Sequence, residues 1–235
     1  MGWLELSATL ERRQQEFDSR IALILRTAEQ RQVAIHCRTG CGHCCTMAVN
    51  CSFPEAVRIA HVLTAGQRQN LERALPLLIR ISREAQDLKD FLRRFRRELG
   101  CPFLDSEQRC TIYPVRPFSC RALLSTRPGA WCGVDFSELH PLERQAFLSS
   151  LDRELVNFPT HYLALPQEIG QELEVTTQLD MRDACGVSLS GSMIYQIWLE
   201  LEHGLSEQLV NNSVGARDLL VREQQEHPYL LQLAP

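Results

Sequence analysis

The chain has 235 residues, 44% of them hydrophobic and 23% charged, with a formal net charge of -4. That length buries a core without covalent staples. The ordinary composition and near-neutral balance argue against nucleic acid or an anionic membrane as a general partner. No apolar run approaches the ~20 residues of a membrane span. The first residues, Met-Gly-Trp-Leu-Glu-Leu, lack the basic-then-apolar pattern of a secretory signal. The expected location is the cytoplasm, where thiols stay reduced. Ten cysteines in such a chain point to metal rather than disulfides.

Residues 4–32 read as one long amphipathic helix, with Leu6, Leu10, Phe17, Ile21, Ile24 and Ala28 at helical spacing. The first cysteine block follows, Cys37-Arg-Thr-Gly-Cys41-Gly-His-Cys44-Cys45, with Cys51 close behind. Gly40 and Gly42 flank Cys41 and let the backbone turn tightly there. Ser52 and Glu55 form a capping box that opens a helix with Ala56, Ile59, Ala60 and Leu63 on one face. Thr64 is expected to cap a second helix, which Pro76 should kink or split. A third stripe runs through Leu77, Ile81, Leu88, Leu92, Phe95 and Leu99, and Gly100 is its stop. Its basic end (Lys89, Arg93, Arg94, Arg96, Arg97) reads as a solvated face near a helix C-terminus rather than a nucleic-acid patch.

The second cysteine block is rich in loop signals: Cys101-Pro-Phe-Leu, Cys110-Thr-Ile-Tyr with a short strand expected there, then Arg116-Pro117 and Cys120-Arg121. Residues 125–136 are loop-like around Trp131 and Cys132. Helix is expected again from Ser137, with Leu148, Leu151, Leu155 and Phe158 as its stripe. Residues 161–180 fit strand or irregular structure around Pro166. A helix from about Ser192 and a last one over 213–226 close the chain. The expected fold is mainly α: a single irregular helical domain over 1–235 with little or no β. Two cysteine-rich loops within 37–121 converge on a metal centre, and 137–235 forms a helical C-terminal region.

Thiolates are soft ligands that select zinc, copper(I) or iron–sulfur clusters. Cys41-x2-Cys44 is a chelating pair, and its neighbour Cys45 projects differently, so a multi-atom cluster or two sites would use the doublet better than one tetrahedral zinc. Seven thiols are candidate ligands: Cys37, Cys41, Cys44 and Cys45 from the first block, Cys101, Cys110 and Cys120 from the second. One zinc or one four-iron cluster needs four of them. Four thiolates on a divalent centre leave two excess negative charges. Arg38, Arg109, Arg116 and Arg121 lie beside the ligands and can offset them, Arg121 being favoured as a cofactor contact because it follows Cys120. His43 and His36 are read as outer-sphere groups. Cys132 and Cys185 are read as buried free thiols. Cys51 is read as a spare or buried one.

The pattern Cys37…Cys41-Gly-His-Cys44-Cys45, Glu55-Ala-Val-Arg-Ile-Ala60, Cys101-Pro-Phe-Leu…Cys110-Thr-Ile-Tyr…Arg116-Pro117…Cys120-Arg121 resembles the YkgJ-like cysteine-cluster family. Members of that family are described as zinc- or iron-chelating, and flagellin lysine N-methylases carry a similar cluster. The family usually has Cys-x2-Cys-x2-Cys-Cys, and here the first spacing is x3. The resemblance implies metal binding. With the doublet and the surplus thiols, the expected cofactor is an iron–sulfur cluster of the 4Fe-4S type, in a redox or group-transfer protein with an unidentified protein or redox partner. The rival cofactor is zinc. The rival functions are a structural zinc module for protein interaction and a lysine N-methylase-like enzyme. No Gly-rich nucleotide loop supports the last.

Overall fold

The computed structural model describes residues 2–38, 40–211 and 214–234. Helix α1 (Trp3–Gln30) buries Leu6, Leu10, Gln14, Phe17, Ile21 and Ala28. A 3-10 turn at His43–Thr46 carries the cysteine doublet. Strand β1 (Asn50–Ser52) leads into helix α2 (Phe53–Val62). The predicted capping box is present, with Glu55 Oε2 accepting from the Ser52 backbone N–H at 3.0 Å and from its hydroxyl at 2.8 Å. Thr64 caps helix α3 (Ala65–Glu84) through the Gln67 N–H at 3.3 Å.

Helix α3 runs unbroken through Pro76, so the proline does not split it. Pro76 and Glu72, whose carbonyl loses its donor, are both exposed, so water takes over the missing bond. The stripe read over 77–99 is divided instead. Helix α4 (Leu88–Glu98) starts afresh where Asp87 accepts from the Asp90 N–H at 2.7 Å. Gly100 ends it with φ +71°. The second cysteine block then passes an isolated bridge between Leu104 and Cys110, a 3-10 turn at Tyr113–Val115 and the single-turn helix α5 (Phe118–Arg121). The expected short strand at 110–113 is reduced to that bridge.

A 3-10 turn at Gly129–Gly133 precedes helix α6 (Pro141–Ser149). This helix ends before Leu151, Leu155 and Phe158, so only the first part of the predicted stripe is helical. Residues 164–185 form helix α7 (Ala164–Cys185), which corrects the strand or irregular structure expected there. Pro166 lies in its first turn, where no backbone N–H is required. Strand β2 (Ser188–Ser192), helix α8 (Met193–His203), helix α9 (Leu205–Val210), helix α10 (Val214–Glu226) and strand β3 (Leu231–Ala234) complete the order. Residue 213, the expected start of the last helix, lies outside the described residues.

The fold is mainly α, with ten α-helices among the described residues and one small antiparallel sheet ordered β1-β2-β3. Gly191 sits at the sheet's centre with φ +144°, and a Cβ there would lie 2.2 Å from the Leu230 carbonyl oxygen. The largest core joins α2, α3, α4 and α8 through Phe53, Ile59, Leu78, Phe91, Ile197 and Leu199. A second core seats α5 between α1 and α7 through Phe17, Phe118 and Ile169. The Phe17 and Phe118 rings meet edge-on at 5.7 Å. Gly170 of α7 lets that helix approach α5 closely, since a Cβ there would stand 3.2 Å from Ala122. These packings hold Cys120 against the rest of the site. Among the described residues, no helix is long and apolar enough to cross a membrane.

Candidate metal centre

The two cysteine blocks meet through the backbone. The Cys101 N–H donates to the Cys45 carbonyl at 2.8 Å, just after the left-handed turn at Gly100. Glu55 ties the second block to α2 as well, its Oε1 accepting from the Phe118 N–H at 2.7 Å while its other oxygen serves the cap. Glu55 is fully buried, and burial raises its pKa above the usual carboxylate range. Glu174 of α7 lies near it, with its pKa pushed up to about 8 by burial and by the Glu55 charge.

All ten cysteines are free thiols. Cys44, Cys45, Cys101, Cys110 and Cys120 lie close enough to act on one another. The Cys45 thiol engages Cys101 and Cys44, and the first of these contacts does most to push its pKa up to about 12. The contact with Cys45, then burial, raises Cys44 further. Burial, with the charges of Cys44 and Cys45 behind it, raises Cys120. Burial also raises Cys110. Without metal, Cys44, Cys45, Cys110 and Cys120 are therefore protonated at neutral pH, and a metal must displace those protons to bind.

One cation opposes this. Arg116 lowers the pKa of Cys44, Cys110 and Cys120, and its guanidinium stacks 3.9 Å from the Tyr113 ring centroid. Arg121, the expected cofactor contact, spends its donors elsewhere. It is 4% exposed and bonds the Arg116 and Pro114 carbonyls, Gln14 and Asp18. Its role in the structure is to tie α5 to α1. Arg109 pairs with Asp105 at 2.8 Å and Glu107 at 2.8 Å.

A thiol read as solitary stands with Cys37 and Cys41. Cys132 faces Cys37, Cys41 and Cys44. A bridge between Ser125 and Tyr162 brings the 125–126 and 161–162 segments together here. The Ser125 N–H donates to Cys37 Sγ at 3.1 Å. His161 Nε2 lies 3.4 Å from Cys132 Sγ. Burial, helped by the Arg127 charge, lowers the His161 pKa to about 4 and keeps the ring neutral. Cys132 and His161 lie under the aromatic cluster of Trp131, Phe136 and Phe147. Nothing in the spacing announced His161. Cys132 sits in a Pro- and Gly-rich loop like the other cysteines of the site, and that was its one signal. Cys51 and Cys185 are buried in the main core, and Cys51 lies near enough to Cys120 to feel its charge.

Residues 36–134 match the family model CxxCxxCC, a putative zinc- or iron-chelating domain. That segment, less than half of the chain, is similar to the CxxCxxCC family. It is the cysteine-cluster family that the two blocks resemble, and its description supports zinc or iron binding here. The match runs past Cys120 and takes in Cys132. No curated protein and no solved structure matches the chain. Among the described residues, no three Cys, His, Asp or Glu side chains already surround one point as metal ligands. Loading the CxxCxxCC domain therefore requires thiols to rotate inward. The donor set still fits a soft metal: five thiols with a neighbouring guanidinium.

Proposed function

We propose that this protein holds an iron–sulfur cluster of the 4Fe-4S type on four thiolates drawn from Cys44, Cys45, Cys101, Cys110 and Cys120. The observation that carries this reading is the gathering of five thiols on the two joined blocks, beside Arg116. An adjacent doublet such as Cys44-Cys45 suits a cage of several metal atoms better than one tetrahedral ion. When bound, the cluster supplies one-electron chemistry. Arg116 offsets the excess negative charge of the thiolates. The Cys45 carbonyl and the Cys101 N–H keep the two blocks in register.

The function supported best is electron transfer or metal handling with a protein partner. The thiols of both blocks are exposed or half-buried, so electrons need not travel far from the surface. A hollow lined by Arg127, Pro128, Trp131 and Phe147 opens beside the aromatic cluster that covers Cys132 and His161. Anaerobically purified protein is expected to be brown and to contain iron and acid-labile sulfide, with a reversible potential. Colourless protein with stoichiometric zinc and no iron overturns the proposal.

A further inference from the structure

We infer that Cys37, Cys41, Cys132 and His161 form a second, single-ion metal site of the zinc type, separate from the five thiols assigned to the cluster. Cys132 and His161 are already at ligand spacing. With zinc–sulfur and zinc–nitrogen bonds of about 2.3 and 2.0–2.1 Å in a tetrahedron, the two donor atoms stand about 3.5 Å apart. Here they are 3.4 Å apart. The residues are 6% and 3% exposed, so this pair is a built feature of the interior rather than a surface encounter.

The polar groups around the pair have few other partners. His161 Nδ1 makes no hydrogen bond, and neither does the buried Tyr162 hydroxyl, whose nearest acidic neighbour is Cys132. A buried imidazole nitrogen and a buried phenol hydroxyl without hydrogen bonds are costly. Sulfur carrying thiolate charge on a metal repays the phenol, because it accepts O–H and N–H donors well. The donors are in place: the Ser125 N–H already points at Cys37 Sγ, and the Ser125 hydroxyl and Tyr162 act on Cys132.

The remaining two ligands come from the first block. Cys41 Sγ stands against Gly129, where a Cβ would approach it to 3.0 Å, and Gly129 opens the turn that ends in Cys132-Gly133. Cys37 lies beside Cys41 and Cys132. The x3 spacing between Cys37 and Cys41 has a reading here. Those two residues serve an ion with distant partners, while Cys44 and Cys45 serve the cluster. The aromatic wall of Trp131, Phe136 and Phe147 keeps water from the back of the site. A closed set of three thiolates and one imidazole is the donor chemistry of structural zinc.

The inference does not rest on the cluster reading, and metal analysis separates the two. Protein purified without air from zinc-supplemented cells is expected to carry one zinc per chain besides its iron. His161→Asn and Cys132→Ser should each weaken zinc retention by more than the roughly 10–100-fold that outer-sphere changes cost, and leave the iron and the cluster absorption in place. Cys44→Ser should do the reverse. His161→Cys should restore zinc and, with cobalt(II) in its place, shift the visible bands as a fourth thiolate replaces nitrogen. Retention of full zinc by His161→Asn and Cys132→Ser overturns the site, as does wild-type protein without zinc. Zinc at one per chain, sensitive to His161, in protein without iron supports it even though the cluster proposal then fails.

Discussion

Arg116 is the residue through which the protein sets the acidity of its thiols. Its charge lowers the pKa of Cys44, Cys110 and Cys120, while burial and neighbouring thiols raise it. Replacing it with glutamine removes the lowering contribution, so fewer thiolates are present at a given pH. Metal uptake by Arg116→Gln is expected to need a higher pH than in the wild type, and a titration of loading against pH reads this directly. An unmoved midpoint refutes the assignment. Glu55 acts differently, as a buried acceptor shared by the α2 cap and the Phe118 N–H. Glu55→Ala removes the acceptor of three buried donors, the Ser52 N–H and hydroxyl and the Phe118 N–H, and should cost about 3 kcal/mol in denaturant unfolding. Glu174 has a folded pKa of about 8, above its ordinary 4.5. A carboxyl raised in this way contributes stability that is complete below about pH 4.5 and is lost as pH rises through about 8. Glu174→Gln should therefore be more stable than the wild type at pH 8.5, by about 1–2 kcal/mol, and its stability should vary less with pH. The full shift would be worth more, but this carboxyl keeps some contact with water.

At the scale of the element, α4 shows how a charged stripe is used. Arg93 pairs with Asp135, Arg94 with Asp90 and Glu84, and Arg97 with Glu138, while Arg96 donates to the Val134 carbonyl at 2.8 Å. The stripe holds down the 134–138 segment that follows Cys132. Each exposed pair is worth about 1 kcal/mol or less, so Arg97→Ala alone should leave the melting temperature nearly unchanged. The small sheet is less tolerant. Gly191→Ala would force a Cβ to 2.2 Å from the Leu230 oxygen at a φ that side chains avoid. It should cost about 3 kcal/mol or more, measured by thermal unfolding. A small loss would mean that β3 can move away from β2 without consequence.

For the whole molecule, the metal and the fold are coupled. The site is assembled from segments around 37–45, 101–120, 132 and 161, and its ligands do not stand ready around one point without metal. Binding energy at such a site is folding energy. Chelation under anaerobic conditions should lower the melting temperature by many degrees, and reloading should restore it. The metal-free form should also weaken in alkali. Cys37, Cys44, Cys45, Cys110, Cys120 and Cys132 have folded pKa values above the ordinary 9.0, with Cys45 pushed up to about 12 and Cys44 higher still. Their contribution is complete below pH 9 and disappears as pH rises through the raised values. A chelated sample that is as stable at pH 10 as at pH 8 would contradict this.

The local part of the design was legible in the chain. The α1 stripe, the caps at Ser52 and Thr64, the stop at Gly100, the mainly helical class and the cysteine-cluster family all rest on neighbours within a few residues, or on motifs that recur as units. Residues 161–180 were ambiguous because Pro166 breaks a helix interior yet is harmless in a first turn, and only the position of that turn decides between the two. The stripe over 77–99 concealed a break, since an apolar period continues across Asp87 whether or not the backbone does. The sheet was invisible because β1, β2 and β3 are short and pair over long sequence separations. The site followed the same rule. The sequence by itself determined which thiols exist, and that they lie in two blocks. Only the tertiary structure decided that Cys132 and His161 stand with Cys37 and Cys41, and that Arg116 rather than Arg121 faces the thiols. Proximity between such residues depends on how α5, α7 and the loops pack, and spacing along a chain carries no record of that.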